Sequence, residues 1–252
     1  MKLALRHSLL LLLLASTAHG AVSQLGSTSS LAESNDSNTV TLSSHVVTAS
    51  TDLLVVCAGT RNGPQVVTGI DWNTSEALTE ISSNSPTDGN DPSISVWGIV
   101  SPTATTADVV VTVTSSSSWR FASATNYDGV DNGTVAAATN SLEVVDDPTG
   151  SDATTIFASG GTSGNALAFC ASMIGGDADP VSNNASFVEL HEEQTGALTG
   201  NGDAVAYAGH LLDAAPTGVT ITWAKSDEDA GLYYEIVAAG AGNTSLRRRR
   251  SN

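Results

Sequence analysis

The residues whose types and spacing best suit a chemical role lie in the segment TDGNDP, residues 87–92. Asp88, Asn90 and Asp91 surround Gly89 in this segment. Hard cations take several oxygen ligands, and a loop with Asp, Asn and backbone carbonyls around a glycine supplies them. The sequence therefore predicts a calcium site at Asp88, Asn90 and Asp91. An ordinary β-turn has the same composition and is the competing interpretation.

Two tryptophans are candidates for binding a glycan by stacking on sugar faces. Trp72 lies between Asp71 and Asn73, and Trp97 alternates with serines in a strand-like run. We predict Trp72 and Trp97 as the ligand-binding residues of a carbohydrate-binding protein. Both rings also fit the buried face of a strand, which is the alternative.

Catalytic chemistry has little support in the sequence. A glycoside hydrolase needs two carboxylates across a cleft, and Glu189, which shares a predicted strand face with Phe187 and His191, is the acid with the most suggestive neighbours. The histidines and cysteines lack the spacing of a zinc site or of a Ser-His-Asp triad. We predict no catalytic residue and keep a glycan-active enzyme as an alternative.

Cys57 and Cys170 are the two cysteines of the chain, and they lie in similar apolar runs, DLLVVCAG and NALAFCAS. In a secreted chain two cysteines can form one disulfide. Two buried free thiols packed as small apolar side chains are the alternative. In either case the two runs mark equivalent places in two similar halves of the chain.

The N-terminus and the charge indicate a compartment. Residues 1–20 combine two cations, a short leucine-rich run and small residues before Ala21, which is the pattern of a secretory signal peptide. No later segment has 18 consecutive apolar residues, so no transmembrane segment is expected. A formal net charge of −17 repels phosphate backbones. We expect a secreted, extracellular or cell-surface protein whose folded body does not bind nucleic acid.

Period-two hydrophobicity recurs along the chain, whereas helical periodicity is almost absent, so the sequence predicts an all-β fold. Strand-like runs in the first half are followed by similar runs, in the same order, in the second half. The predicted pairs are 39–48 with 154–159, 53–60 with 166–174, 65–73 with 185–191, 93–100 with 204–212, 108–115 with 219–223, and 119–127 with 232–237.

This order predicts an internal duplication and one antiparallel β-sandwich of about twelve strands. Two tandem small sandwiches are the alternative. The predicted organisation is a signal peptide (1–20), a polar extended lead-in (21–38), the sandwich (39–240, with half-repeats 39–146 and 147–240) and an Arg-rich disordered tail (241–252).

The segments DLLVV-AG, VTGIDWN…ALTEI, SISVWGIVSPTATTADVVVTVT, FASATNYDGVD and GVTITW resemble a recurrent jelly-roll or concanavalin-like β-sandwich module. Similar modules occur in bacterial secreted and surface proteins and in phage structural proteins. The resemblance covers about residues 39–239 and includes no catalytic signature. It implies an architectural or binding role by analogy of fold.

We therefore expect a non-enzymatic structural or binding module that acts in surface or matrix assembly, adhesion or glycan binding. Its expected partners are glycans or copies of itself, and a self-assembling filament or virion subunit is a further alternative. Residues 21–38 could add a strand to the sheet edge of a neighbouring copy.

Overall fold

The computed structural model describes residues 21–33, 37–61, 65–84, 92–114, 119–147, 150, 153–158, 160–174, 180–183, 187–194, 204–212, 218–224 and 227–240. The predicted signal peptide, the predicted calcium ligands Asp88, Asn90 and Asp91, and the Arg-rich tail lie outside these residues. The described part of the chain is all-β and antiparallel, as the sequence predicts, with seventeen strands and one short helix. No helix within it is long and apolar enough to cross a membrane.

The elements follow one another in a regular order. Those of the first half are β1 (Ser23–Glu33), β2 (Thr39–Val47), β3 (Leu53–Thr60), β4 (Val67–Trp72), β5 (Glu76–Ala77), β6 (Thr79–Ser83), β7 (Ser93–Val100), β8 (Thr105–Val113) and β9 (Arg120–Asp128). Those of the second half are α1 (Val135–Ala138), β10 (Thr139–Asp147), β11 (Thr154–Phe157), β12 (Ala166–Ile174), β13 (Pro180–Asn183), β14 (Val188–Gln194), β15 (Ala204–Leu211), β16 (Val219–Trp223) and β17 (Asp229–Ile236).

The strands form four sheets. We name the sheet β1-β9-β3-β7-β6 the first inner sheet and the sheet β10-β17-β12-β15-β14 the second inner sheet. The first outer sheet has the order β2-β8-β4-β5, and the second outer sheet has the order β11-β16-β13.

Three apolar cores lie between the sheets and stack them in four layers. The central core contains side chains of both inner sheets, including Leu53, Cys57, Cys170 and Leu232. A second core joins the first outer sheet to the other face of the first inner sheet, and a third core does the same for the two sheets of the second half. The inner sheets are therefore covered on both faces.

This layering explains the hydrophobic pattern of the sequence. Every residue of β3 and β12 is buried, because neighbouring layers cover both faces of these strands. A strand of this kind has a nearly continuous apolar run rather than an alternating one. Strand β16 and residues 109–113 of β8 alternate between buried and partly exposed residues, since one face of each outer sheet is open to solvent.

The two halves have equivalent strand orders. Replacing β1, β9, β3, β7 and β6 by β10, β17, β12, β15 and β14 converts one inner sheet into the other, and β2, β8 and β4 correspond to β11, β16 and β13. The predicted single sandwich of about twelve strands is not confirmed, because each half has its own pair of facing sheets. The equivalent of 65–73 is β13, whereas 185–191 falls mostly in β14, which is equivalent to β6.

The edge strands β1 and β10 of the inner sheets are not among the strands that the sequence predicts. Residues 21–38, interpreted as a polar lead-in, contain β1, which pairs with β9 inside the same chain. Its equivalent β10 ends at Asp147, so it falls in the predicted first half-repeat (39–146) except for its last residue. Both strands are polar and only partly buried. They therefore lack the apolar runs by which the sequence marks the other strands.

A disulfide crosses the central core between Cys57, in the middle of β3, and Cys170, in the middle of β12. Their Cα atoms lie 6.1 Å apart, and 113 positions separate them in the chain. The bond joins the central strands of the two inner sheets, so it fixes the two halves face to face.

The first residue of each cysteine-bearing run is polar. Its side chain accepts hydrogen bonds from the backbone of the segment that follows the last strand of the same half. Asp52 Oδ2 accepts hydrogen bonds from the backbone N–H groups of Gly129 (2.9 Å) and Val130 (3.2 Å). In the second half, Asn165 Oδ1 accepts one from the N–H of Ala238 (3.0 Å). The duplication therefore preserves a polar contact as well as the apolar runs.

We predict that replacing Cys57 and Cys170 together by alanine lowers the free energy of unfolding by about 4 kcal/mol, because the disulfide closes a loop of more than a hundred residues. Urea denaturation of the wild-type protein and the double variant measures this difference. Dithiothreitol should leave the variant unchanged. Equal denaturation midpoints for the two oxidised proteins would contradict the prediction.

Candidate functional site

Asn84 lies at one end of the segment that contains the predicted calcium ligands. Its side chain is buried, accepts a hydrogen bond from Ile94 N (2.7 Å) and donates one to Pro92 O (2.7 Å). The calcium prediction itself concerns residues outside the described ranges and stays a prediction. Within those ranges, no group of three or more His, Cys, Asp or Glu side chains is placed to hold a metal ion.

Trp72 and Trp97 are buried, which corrects their prediction as glycan-binding residues. Both rings lie in the core between the first outer and first inner sheets. Trp72 Nε1 donates to Thr103 O (3.1 Å), and Trp97 Nε1 donates to Ser95 Oγ (2.8 Å). Their polar atoms are thus satisfied inside the protein, and neither ring is available to stack on a sugar. Both rings therefore fit the alternative prediction, in which they lie on the buried face of a strand.

Glu189 does not share a face with Phe187 and His191. A β-bulge between Glu189 and His191 interrupts the pairing of β14 with β15. As a result His191 is buried although Glu189 is exposed, and Phe187, which precedes β14, is buried as well. Strict alternation assigned all three to one side, and the extra residue of the bulge breaks that alternation.

The three described histidines are buried in the protein. His45 contacts Ser29 Oγ through Nδ1 (2.8 Å) and Asn126 Oδ1 through Nε2 (3.3 Å), and burial lowers its pKa. His210 Nδ1 lies 3.1 Å from the Tyr127 hydroxyl. Burial lowers the pKa of His191 and His210 to about 4, so both rings are neutral at neutral pH.

A small cavity lies between the inner sheets beside the disulfide. Cys57, Thr125, Tyr127 and Tyr234 line it, and its volume is about 10 Å³. A cavity of this size holds about one water molecule. This cavity therefore has no room for an organic ligand.

The most unusual chemical group is an acidic pair on two neighbouring strands of the second inner sheet. Asp229, at the start of β17, lies opposite Asp147, at the end of β10, and Asp229 is only 1% exposed. Its Oδ2 accepts a hydrogen bond from Thr155 Oγ1, and Trp223 Nε1 donates to the same hydroxyl (2.8 Å). Burial raises the pKa of Asp229 to about 7, and the charges of Asp147 and Asp146 add to the increase.

The equivalent position of the first half has an ion pair. Ser123 is the partner of Cys57 and Leu232 is the partner of Cys170, so Arg120 and Asp229 each lie three residues earlier in equivalent strands. Arg120 is fully buried, and its Nη2 lies 3.3 Å from Glu33 Oε2 on the neighbouring β1.

The predicted pairing of 119–127 with 232–237 is four residues out of register, so it does not reveal this equivalence. The strand pairing around the two cysteines gives the correct register. The position that is Arg opposite Glu in one half is therefore Asp opposite Asp in the other. This register depends on the strand pairing, so the sequence by itself contains no signal for it.

The exposed apolar side chains lie on sheet edges. Among the described residues, the large hydrophobic side chains with high exposure are Val46 (54%), Val144 (47%), Ile156 (52%) and Val188 (57%). They lie on β2, β10, β11 and β14, each of which is the edge strand of its sheet.

The four edges differ in charge. Edge strands β10 and β14 of the second inner sheet each include three Asp or Glu residues, whereas β2 and β11 of the outer sheets include no Asp, Glu, Lys or Arg. Charge on an edge opposes pairing with another chain, so the edges with Val46 and Ile156 are the less protected ones.

We predict that His191 makes the protein less stable as the pH falls below 6.5, because the folded-state pKa of about 4 lies below the unfolded value of 6.5. The stability that depends on the neutral ring is complete above pH 6.5 and is lost progressively between pH 6.5 and 4. Between pH 7.5 and 5 this amounts to about 2 kcal/mol.

The variant His191→Leu tests this prediction, since it keeps an apolar side chain but does not titrate. Its free energy of unfolding should fall by about 2 kcal/mol less than that of the wild type between pH 7.5 and 5. Urea denaturation at both pH values measures the difference. Parallel losses in the two proteins would show that His191 titrates normally.

Comparisons with known proteins supply no family assignment for this fold. The interpretation of the site therefore depends on the contacts, burial and charges described above. The resemblance of the strand pattern to jelly-roll modules stays a prediction. No protein-family model, curated protein or solved structure matches the chain.

Proposed function

We propose that the chain is an extracellular structural module that assembles with copies of itself through the outer edge strands β2 and β11. The observation that carries this proposal is the exposure of Val46 and Ile156 on edge strands without charged residues. An uncharged edge strand with an exposed apolar side chain offers backbone hydrogen bonds and apolar contact to another strand.

The proposed compartment follows from the chemistry of the cysteines and from the N-terminal pattern. A disulfide that joins the two halves persists in an oxidising environment, such as the outside of a cell. The predicted signal peptide in residues 1–20 is consistent with that location. The acidic composition also keeps separate molecules apart at low ionic strength.

The strand order of the first half supports the proposal of a jelly-roll-like module. In the first half β1, β9, β3 and β7 are neighbours in one sheet, and β2, β8, β4 and β5 are neighbours in the facing sheet. With β6 set aside, this order of eight strands in two sheets resembles that of a jelly roll, a fold that recurs in capsid and lectin domains. By analogy of fold it favours a structural or binding role over a catalytic one.

The positions of β2 and β11 favour open assembly. Strand β2 contacts β1, which lies against β14, whereas β11 contacts β10, which lies against β6. The two outer edges are therefore on opposite sides of the molecule. Pairing β2 of one copy with β11 of the next is head to tail, and contacts of this kind produce filaments unless the rotation closes a ring.

The N-terminal strand is a weaker candidate for the contact between copies. Strand β1 is already paired with β9, and Glu33 at its end is bound to the buried Arg120. Addition of β1 to another copy would require both contacts to break. Strands β2 and β11 each pair with one strand only, so we place the assembly contact there.

We predict that wild-type protein self-associates more strongly as salt rises, because salt screens repulsion between the acidic molecules. Val46→Lys and Ile156→Lys should each weaken the association at least about tenfold, since a lysine on an edge opposes strand pairing. Sedimentation velocity at low and high salt measures association, and electron microscopy detects filaments.

Val188→Lys is the matched control. It makes the same substitution at a similarly exposed valine on β14, and it should associate at least as strongly as the wild type. Protein that remained monomeric at millimolar concentration in high salt would overturn the proposed assembly. Equal loss of association in all three variants would overturn the choice of the outer edges.

A further inference from the structure

We propose that Asp229 and Asp147 share one proton, and that loss of this proton releases the end of β10 from β17. The two residues are partners in the β10–β17 ladder. Asp229 is buried, its Oδ2 accepts from Thr155, and its Oδ1 has no hydrogen-bond partner. A proton on that Oδ1 would donate to a carboxylate oxygen of Asp147 and so satisfy the buried atom.

The duplication shows that the first half balances the negative charge at this position with a cation, whereas the described residues of the second half do not. In the first half the guanidinium of Arg120 faces the carboxylate of Glu33. In the second half the same register position pairs two carboxyl groups, Asp229 and Asp147. Two adjacent carboxylates in a buried place cannot both ionise at low cost, so one of them retains its proton.

Among the described residues, the surroundings of Asp229 contribute further negative charge and no cation, and Lys225, which precedes Asp227 in the chain, lies outside the described ranges. Strand β10 contributes Asp146 and Asp147, and the turn before β17 contributes Asp227 and Glu228. The neighbouring strands β11, β12 and β16 provide Thr155, Met173 and Trp223, and none of these described strands includes Lys, Arg or His. Burial, followed by the charges of Asp147 and Asp146, raises the pKa of Asp229 to about 7.

Release of β10 would affect the contact between the two halves. Strand β10 lies at the edge of its sheet and contacts β6 of the first half. Ser141 Oγ donates to Ser82 Oγ (2.9 Å), and Asp146 Oδ1 accepts from Asn84 Nδ2 (3.5 Å). Repulsion between the ionised Asp229 and Asp147 acts beside the second of these contacts. The strength of the contact between β10 and β17 at this edge of the interface therefore depends on pH.

The test compares thermal unfolding of the wild type and Asp229→Asn from pH 5 to pH 8. The native state retains the proton of Asp229 between its ordinary pKa of 3.8 and about 7, so wild-type stability is lost as the pH rises through that window. Asparagine carries no charge and can still donate to Asp147. The variant should melt at least about 3 °C above the wild type at pH 8, and this difference should shrink towards pH 5.

Hydrogen exchange at pH 8, corrected for intrinsic rates, tests the release of β10 directly. Amides of 144–147 should exchange at least about tenfold faster in the wild type than in Asp229→Asn. Asp147→Asn is a second variant that removes one charge of the same pair and should also slow exchange. Glu33→Gln, at the equivalent position of the first half, should leave exchange in β10 unchanged.

Three results would overturn the proposal. The first is a melting difference between wild type and Asp229→Asn that does not vary with pH. The second is equal exchange of 144–147 in wild type, Asp229→Asn and Asp147→Asn. The third is a rise in wild-type melting temperature with calcium chloride at pH 8 that EDTA reverses and Asp229→Asn abolishes, since the pair would then bind a metal ion.

Discussion

The rest of the structure depends on the central apolar contact between β3 and β12, which the disulfide crosses. Both strands are buried on both faces, so each inner sheet needs an outer sheet on one side and the other inner sheet on the opposite side. Each half alone would expose its inner apolar face to water. That face includes Leu53, Cys57 and Phe121 in the first half, and Cys170 and Leu232 in the second. The covalent bond fixes the pairing that the hydrophobic effect favours.

The duplication preserved the parts that make this contact and changed the parts that surround it. The apolar runs, the strand order and the contact made by Asp52 or Asn165 occur in both halves. The pair that joins β9 or β17 to its edge strand is an Arg–Glu ion pair in the first half and two acids in the second. One fold thus tolerates opposite charges at equivalent positions, because the edge strands β1 and β10 can each supply a partner suited to its neighbour.

Charge distribution connects the fold to the proposed assembly. An acidic molecule resists association, and the acidic residues of β10 and β14 protect the edges of the second inner sheet. The outer edges β2 and β11 lack this protection. Buried polar side chains, such as His45, His210 and Asp229, interact with other groups inside the protein. The exposed edges, in contrast, can contact another molecule.

The sequence by itself determined the all-β class, the positions of most strands, the duplication and the fully buried runs around Cys57 and Cys170. These follow from local periodicity. A strand buried on one face alternates apolar and polar residues, and a strand buried on both faces has a continuous apolar run. The tertiary structure alone decided the four layers, the membership of β1 and β10, the inward direction of Trp72 and Trp97, and the facing of Asp229 and Asp147. Each of these depends on which distant strand lies beside or above another, and a bulge of one residue, as at Glu189, changes the outcome.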